Sequence, residues 1–127
     1  MSEIILDASA ILTLLNQEPG ADIVQQALPD AKVSSVNLAE VVTRLNLIGM
    51  QTEVIQETLS LLSLDVIPFD EEQALQTGIL ASQTKSSGLS LGDRACIALG
   101  IITNNPVLTA DQAWQHLTLP VTIKLLR

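Results

Sequence analysis

The feature that most narrows the fold is an alternation along the chain, in which short apolar runs are separated by longer segments of helical period. The runs around Ile4-Ile5-Leu6, Lys32-Val33-Ser34, Val66-Ile67-Pro68, Pro106-Val107-Leu108 and Val121-Thr122-Ile123 read as strands. Pro68 and Pro106 cannot donate to a sheet ladder, which either weakens those two strand readings or pushes the prolines to strand ends. Between the runs, Leu38, Val41, Val42, Leu45 and Ile48 recur as one helical stripe, ended by Gly49. Segments 51–63 and 71–83 read as helices in the same way, and Lys85-Ser86-Ser87-Gly88 as a loop. Strands alternating with helices predict an α/β domain, because parallel strands need a long crossover and a helix is the usual one. No repeat or linker interrupts the pattern, so residues 1–127 are expected to form one domain.

Composition limits what such a domain can do. The chain is 47% hydrophobic and only 16% charged, which should leave apolar surface uncovered and invites a partner or a second copy. The lone Cys96 excludes an internal disulfide and fits a reducing compartment. Asp7 breaks the opening apolar run, so no secretion signal is expected; nor does any apolar stretch approach the roughly 20 residues of a membrane span. A cytoplasmic protein is expected. Fourteen acids against six bases give a net charge of -8, the wrong sign for gripping a polyanion directly. Phe69 and Trp114 are the only aromatics, so no base-stacking platform exists either. A function on nucleic acid would need cations between protein and phosphate.

The acids are placed to supply such a cation site. Asp7 follows the first strand at the expected start of a helix, and Asp111 follows the fourth in the same way. Glu40 falls in the first turn of a helix that Asn37 would open, shortly after the second strand. In an open parallel sheet the carboxyl ends of the strands share one edge, and ligands bind there. Asp93 opens another helix, but no strand directly precedes it, so spacing alone does not bring it to that edge. Crowded carboxylates repel one another unless a cation sits among them, and hard oxygen donors suit magnesium or manganese. A paired-metal arrangement of this kind serves phosphodiester hydrolysis. The competing reading is helix capping: Asp7 and Asp111 stand at helix starts, and Asn37/Glu40 and Ser90/Asp93 have capping-box spacing. Capping does not explain why acids follow strands without balancing bases.

The motifs themselves resemble a known family. Ile5-Leu6-Asp7-Ala8-Ser9-Ala10 looks like the opening motif of VapC-like PIN domains, the toxins of type II toxin–antitoxin pairs. Val36-Asn37-Leu38-Ala39-Glu40-Val41-Val42 resembles their second motif and Leu89-Ser90-Leu91-Gly92-Asp93-Arg94-Ala95-Cys96 their third. Val107-Leu108-Thr109-Ala110-Asp111 looks like the fourth, so the resemblance runs in order from Ile4 to about Trp114. It implies a three-layer domain with a parallel five-stranded sheet flanked by helices, acting as a metal-dependent endoribonuclease. It further implies a homodimer, a cognate antitoxin as inhibitor, and an RNA substrate, with transfer RNA as the family-level expectation. By the same resemblance Asp7, Glu40, Asp93 and Asp111 would be the catalytic acids that bind magnesium or manganese, with products carrying a 5′-phosphate and a 3′-hydroxyl. The segment Ile101-Ile102-Thr103-Asn104-Asn105 is less basic than the family leads one to expect, which bears on substrate grip.

Several neighbours carry two readings each. Ser9 and Thr109 either hold the carboxylates in place or are ordinary helix-start hydroxyls. Arg44, one turn after Glu40, and Arg94, beside Asp93, could meet phosphate or pair with those acids. His116 reads as a surface residue, Cys96 and Trp114 as core. A haloacid-dehalogenase-like phosphatase also places Asp after its first strand, but it wants a second acid where Ser9 stands and a Lys beyond Lys32, Lys85 and Lys124. A receiver-like phosphoacceptor lacks a convincing lysine at its pocket. A catalytically silent PIN-like binding module is the remaining alternative.

Overall fold

The computed structural model describes residues 3–127. The chain runs β1 (Ile4–Leu6), α1 (Ala8–Leu15), α2 (Ala21–Ala27), β2 (Ala31–Ser34), α3 (Ser35–Leu47), α4 (Thr52–Leu62) and β3 (Asp65–Ile67). It continues through α5 (Glu71–Gln83), α6 (Leu91–Thr103), β4 (Val107–Thr109) and β5 (Ile123–Leu125). The five strands form one sheet in the order β3-β2-β1-β4-β5, every neighbouring pair parallel. The expected architecture is therefore present, with β1 at the centre.

Alternation along the strands divides the core. Leu6, Val33 and Leu108 pack with Ile11, Val24, Val41 and Ile55 from α1 to α4 on one face. Ile5 and Val107 pack with Leu80 of α5, Cys96 to Leu99 of α6, and Trp114 on the other. Two helical layers thus enclose the sheet, and each fully buried aliphatic side chain contributes about 1.5–3 kcal/mol. Cys96 and Trp114 are both fully buried, as the sequence reading had it, while His116 is exposed.

Three local expectations need correction. Helix α3 begins two residues before Asn37: Ser34 is its cap, its side chain accepting from Val36 N at 3.2 Å. Glu40 consequently lies in the second turn, and Asn37 is buried within the helix instead of capping it. The last strand starts at Ile123, two residues later than the apolar run, because a tight turn over residues 119–121 (Val121 N to Leu119 O, 2.7 Å) delays its entry into the sheet. The 85–88 segment is a short 3-10 turn (Lys85–Ser87) closed by Gly88 at φ 65. Pro68 and Pro106 lie just outside β3 and β4, where a missing N–H costs the ladder nothing. Among the described residues no helix is long and apolar enough to cross a membrane.

Candidate active site

Chain order turns back at the centre of the sheet: β2 and β3 extend to one side of β1, and β4 and β5 to the other. At such a switch point the loops leaving the carboxyl ends of the strands diverge and leave a crevice. A cleft of about 220 Å³ opens there, and its polar lining is Asp7, Ser9, Asn37, Glu40, Arg44, Asp93 and Asp111. All four expected acids reach it. Asp93 arrives by a route that strand spacing could not show: the N-terminus of α6 packs against α3.

Asp7 is the fixed centre. It caps α1 through Oδ1, which accepts from Ala10 N at 2.8 Å and from Ser9 Oγ at 2.7 Å. Its Oδ2 accepts from Thr109 Oγ1 at 2.5 Å. The two hydroxyl oxygens then accept from the next turn: Ala110 N donates to Ser9 Oγ at 2.9 Å and Asp111 N to Thr109 Oγ1 at 3.0 Å. Each hydroxyl has one proton, and both protons go to Asp7. Asp7 and the turn carrying Asp111 are thereby tied together across about a hundred residues of sequence. Ser9 and Thr109 thus each donate to the Asp7 carboxylate.

Burial pushes the Asp7 carboxyl from its ordinary 3.8 up to about 6; the hydrogen bonds from Thr109, Ser9 and Ala10 oppose this, and the Asp93 charge adds to it. Beneath the cleft, the Cys96 thiol is raised well above its usual range, first by burial and then by the charges of Asp7, Asp93 and Glu40.

The other acids each use one oxygen locally. Asp93 completes a capping box with Ser90: Ser90 N donates to Asp93 Oδ2 at 3.0 Å, and Asp93 N to Ser90 Oγ at 3.1 Å. Asp111 Oδ1 accepts from Ala113 N at 3.0 Å. Glu40 Oε1 accepts from Asn37 Nδ2 at 2.8 Å, and the same amide donates to Gly92 O at 3.0 Å, stapling α3 to α6. Among the described residues no group donates to Asp93 Oδ1, Asp111 Oδ2 or Glu40 Oε2. Capping and metal binding are therefore not exclusive, since these local bonds leave one oxygen of each carboxylate open.

Asn37 and Gly92 are contributors that the sequence reading missed or mistook. A Cβ on Gly92 would stand 2.3 Å from Glu40 Oε2, so only glycine lets this carboxylate lie against α6. The signal was available: a glycine inside the first turn of a helix costs about 1 kcal/mol against alanine and asks for a reason. The arginines part company. Arg94 turns away, its Nη1 donating to Thr77 O at 3.0 Å, while Arg44 stays exposed on the cleft. Neither forms an ion pair among the described residues.

The donor set fits a hard divalent cation: carboxylate oxygens, with neither thiolate nor imidazole facing the cleft. Among the described residues no three acidic, His or Cys groups close tightly enough to enclose an ion by themselves.

A parallel sheet with a carboxylate cleft at its switch point defines a class of α/β acid-cleft domains. The family model of the PIN domain matches residues 4–118, and the chain belongs to the PIN-domain family. Solved structures of low sequence identity share its fold. A chain of VapBC2 from Rickettsia felis, bound to a DNA fragment from its promoter, superposes with a TM-score of 0.75 at 18% identity, covering 95% of this chain and 96% of that one. A chain of VapBC-1 from nontypeable Haemophilus influenzae gives 0.73 at 22%, covering 97% of each. A chain of FitAcB from Neisseria gonorrhoeae gives 0.67 at 24%, covering 94% of this chain and 95% of that one. Comparison with curated protein sequences gives no significant match.

Proposed function

We propose that the chain is a magnesium- or manganese-dependent endoribonuclease, the toxin of a toxin–antitoxin pair. The observation that carries this reading is the convergence of Asp7, Glu40, Asp93 and Asp111 on one cleft, with one oxygen of Glu40, Asp93 and Asp111 left without a protein donor. When bound there, the cation supplies a nucleophilic water and charge stabilisation at phosphorus. Asp7, held on both oxygens, fixes the position of the charge centre. Glu40, Asp93 and Asp111 would help hold such an ion through the oxygens that no protein group occupies. Arg44, the one base among the described residues lining the cleft, would take a phosphate oxygen of the RNA. The haloacid-dehalogenase alternative lacks its second acid, since Ser9 is engaged with Asp7.

The partners follow from surface and charge. Leu47 (76% exposed) and Leu91 (59% exposed) border an apolar groove that shares Glu40 and Arg44 with the acidic cleft. An antitoxin segment with apolar anchors and a basic end would cover the groove and neutralise the carboxylates. Similarity to chains crystallised as toxin–antitoxin complexes supports the same partner. Further exposed apolar residues, Leu75 and Ile79 on α5, support a homodimer. Action in the cytoplasm would keep the lone Cys96 reduced.

The test of the chemistry is the identity of the product ends. RNA cut with manganese by the purified protein should carry 5′-phosphates and 3′-hydroxyls, and excess chelator should stop cleavage. Products ending in a 2′,3′-cyclic phosphate would mean attack by the ribose hydroxyl and would refute the proposed mechanism.

A further inference from the structure

Asn37 is 1% exposed and lines the acidic cleft. Both protons of its Nδ2 are used, one on Glu40 Oε1 and one on Gly92 O. Its Oδ1 is buried and has no hydrogen-bond partner. Turning the amide over does not help, because the oxygen would then face the Glu40 carboxylate and the Gly92 carbonyl, two acceptors. The orientation is chemically fixed, and a buried acceptor is left unpaired on a residue that lines a cleft whose polar lining is mostly acceptors. Leaving such a group unsatisfied is unfavourable, because its hydration is lost with no hydrogen bond in return. A donor that belongs to the cleft but not to the polypeptide would meet this need.

We propose that Asn37 is a positioning residue of the cation site, with Oδ1 accepting a hydrogen bond from a water carried by the ion while Nδ2 locks Glu40 against Gly92. The inference rests on the metal-site reading given above. It assigns Asn37 an outer-sphere role separate from its hold on Glu40. Such outer-sphere partners are commonly worth about 10–100-fold in metal affinity.

The probe is manganese alone, titrated without RNA and followed by the electron paramagnetic resonance of the free ion. The proteins are the parent, Asn37→Ala, Glu40→Ala and the double variant, each checked for folding by circular dichroism. Asn37→Leu, close to asparagine in volume, replaces Asn37→Ala if the smaller side chain leaves α3 and α6 apart. The expected result is at least a tenfold weaker manganese affinity in the Asn37 variant. A similar loss should persist when Glu40 is already Ala, because the Oδ1 contact does not act through Glu40. An affinity within twofold of the parent would make Asn37 a structural staple only and overturn the proposal. A loss that vanishes in the Glu40→Ala background would also overturn it, since Asn37 would then act through Glu40 alone. A parent that binds no manganese overturns this proposal together with the metal-site reading, whereas a parent that binds manganese but cuts no RNA overturns the nuclease reading alone.

Discussion

Replacing Asp7 by Asn should stabilise the protein in the absence of metal. Asp7 is 5% exposed and its carboxyl is raised from 3.8 to about 6, chiefly by burial. At about 1.4 kcal/mol per pH unit, keeping it ionised in the fold costs about 3 kcal/mol. The native state binds a proton that the unfolded chain has already lost between pH 3.8 and about 6, so stability falls as pH rises through that window. The penalty is absent below the window and complete above it. Asparagine keeps an acceptor for Ser9 and Ala10 N but turns an amide towards Thr109, a mismatch of about 1 kcal/mol. The net gain is about 2 kcal/mol at pH 7.5, or roughly 5–10 °C in Tm for a domain of this size. Thermal unfolding in chelator at pH 7.5 should show the variant above the parent, with the difference largely gone at pH 4. Manganese should raise the parent and leave the variant nearly unchanged. A variant less stable than the parent at pH 7.5, or a difference indifferent to pH, would refute the reasoning.

Gly92→Ala should separate fold from function. The new Cβ meets the end of a flexible glutamate rather than backbone, so unfolding should shift by no more than about 1 kcal/mol while cleavage falls at least tenfold. Arg44→Ala should raise the KM for RNA about tenfold with little change in kcat or Tm, as measured by steady-state cleavage and melting; an equal fall in kcat and kcat/KM, with KM unchanged, would place Arg44 elsewhere in the reaction. A basic antitoxin tail should lose affinity when Asp7 and Asp93 are made neutral, read by calorimetry at two salt concentrations. Indifference to both changes would remove the charge-neutralising role.

The legible part of this molecule was what periodicity and chain order control. Short apolar runs marked strands close to where they lie, and acids after β1 and β4 reached the sheet edge because parallel topology leaves them no other. The illegible part depended on tertiary contact. Asn37 looked like a cap because it precedes Glu40 by three, yet Ser34 caps the helix and Asn37 reaches across to Gly92. Asp93 gave no sign of convergence, since what carries it to the cleft is the packing of α6 on α3. The contest between capping and ligation was undecidable from spacing for a simple reason: each carboxylate has two oxygens, and Asp93 caps with one while the other stays open.

That second oxygen offers the most direct test of the central claim. Asp93→Asn keeps an acceptor for Ser90 N, so the capping box and the fold should survive. It removes the charge that a cation in the cleft would need. Single-turnover cleavage of RNA in manganese by the parent and by Asp93→Asn, with matched unfolding curves, is the measurement. The account predicts a loss of at least a hundredfold (about 2.7 kcal/mol) in the cleavage rate with melting in chelator undiminished. Undiminished cleavage by Asp93→Asn, or cleavage by the parent that survives excess chelator, would contradict it.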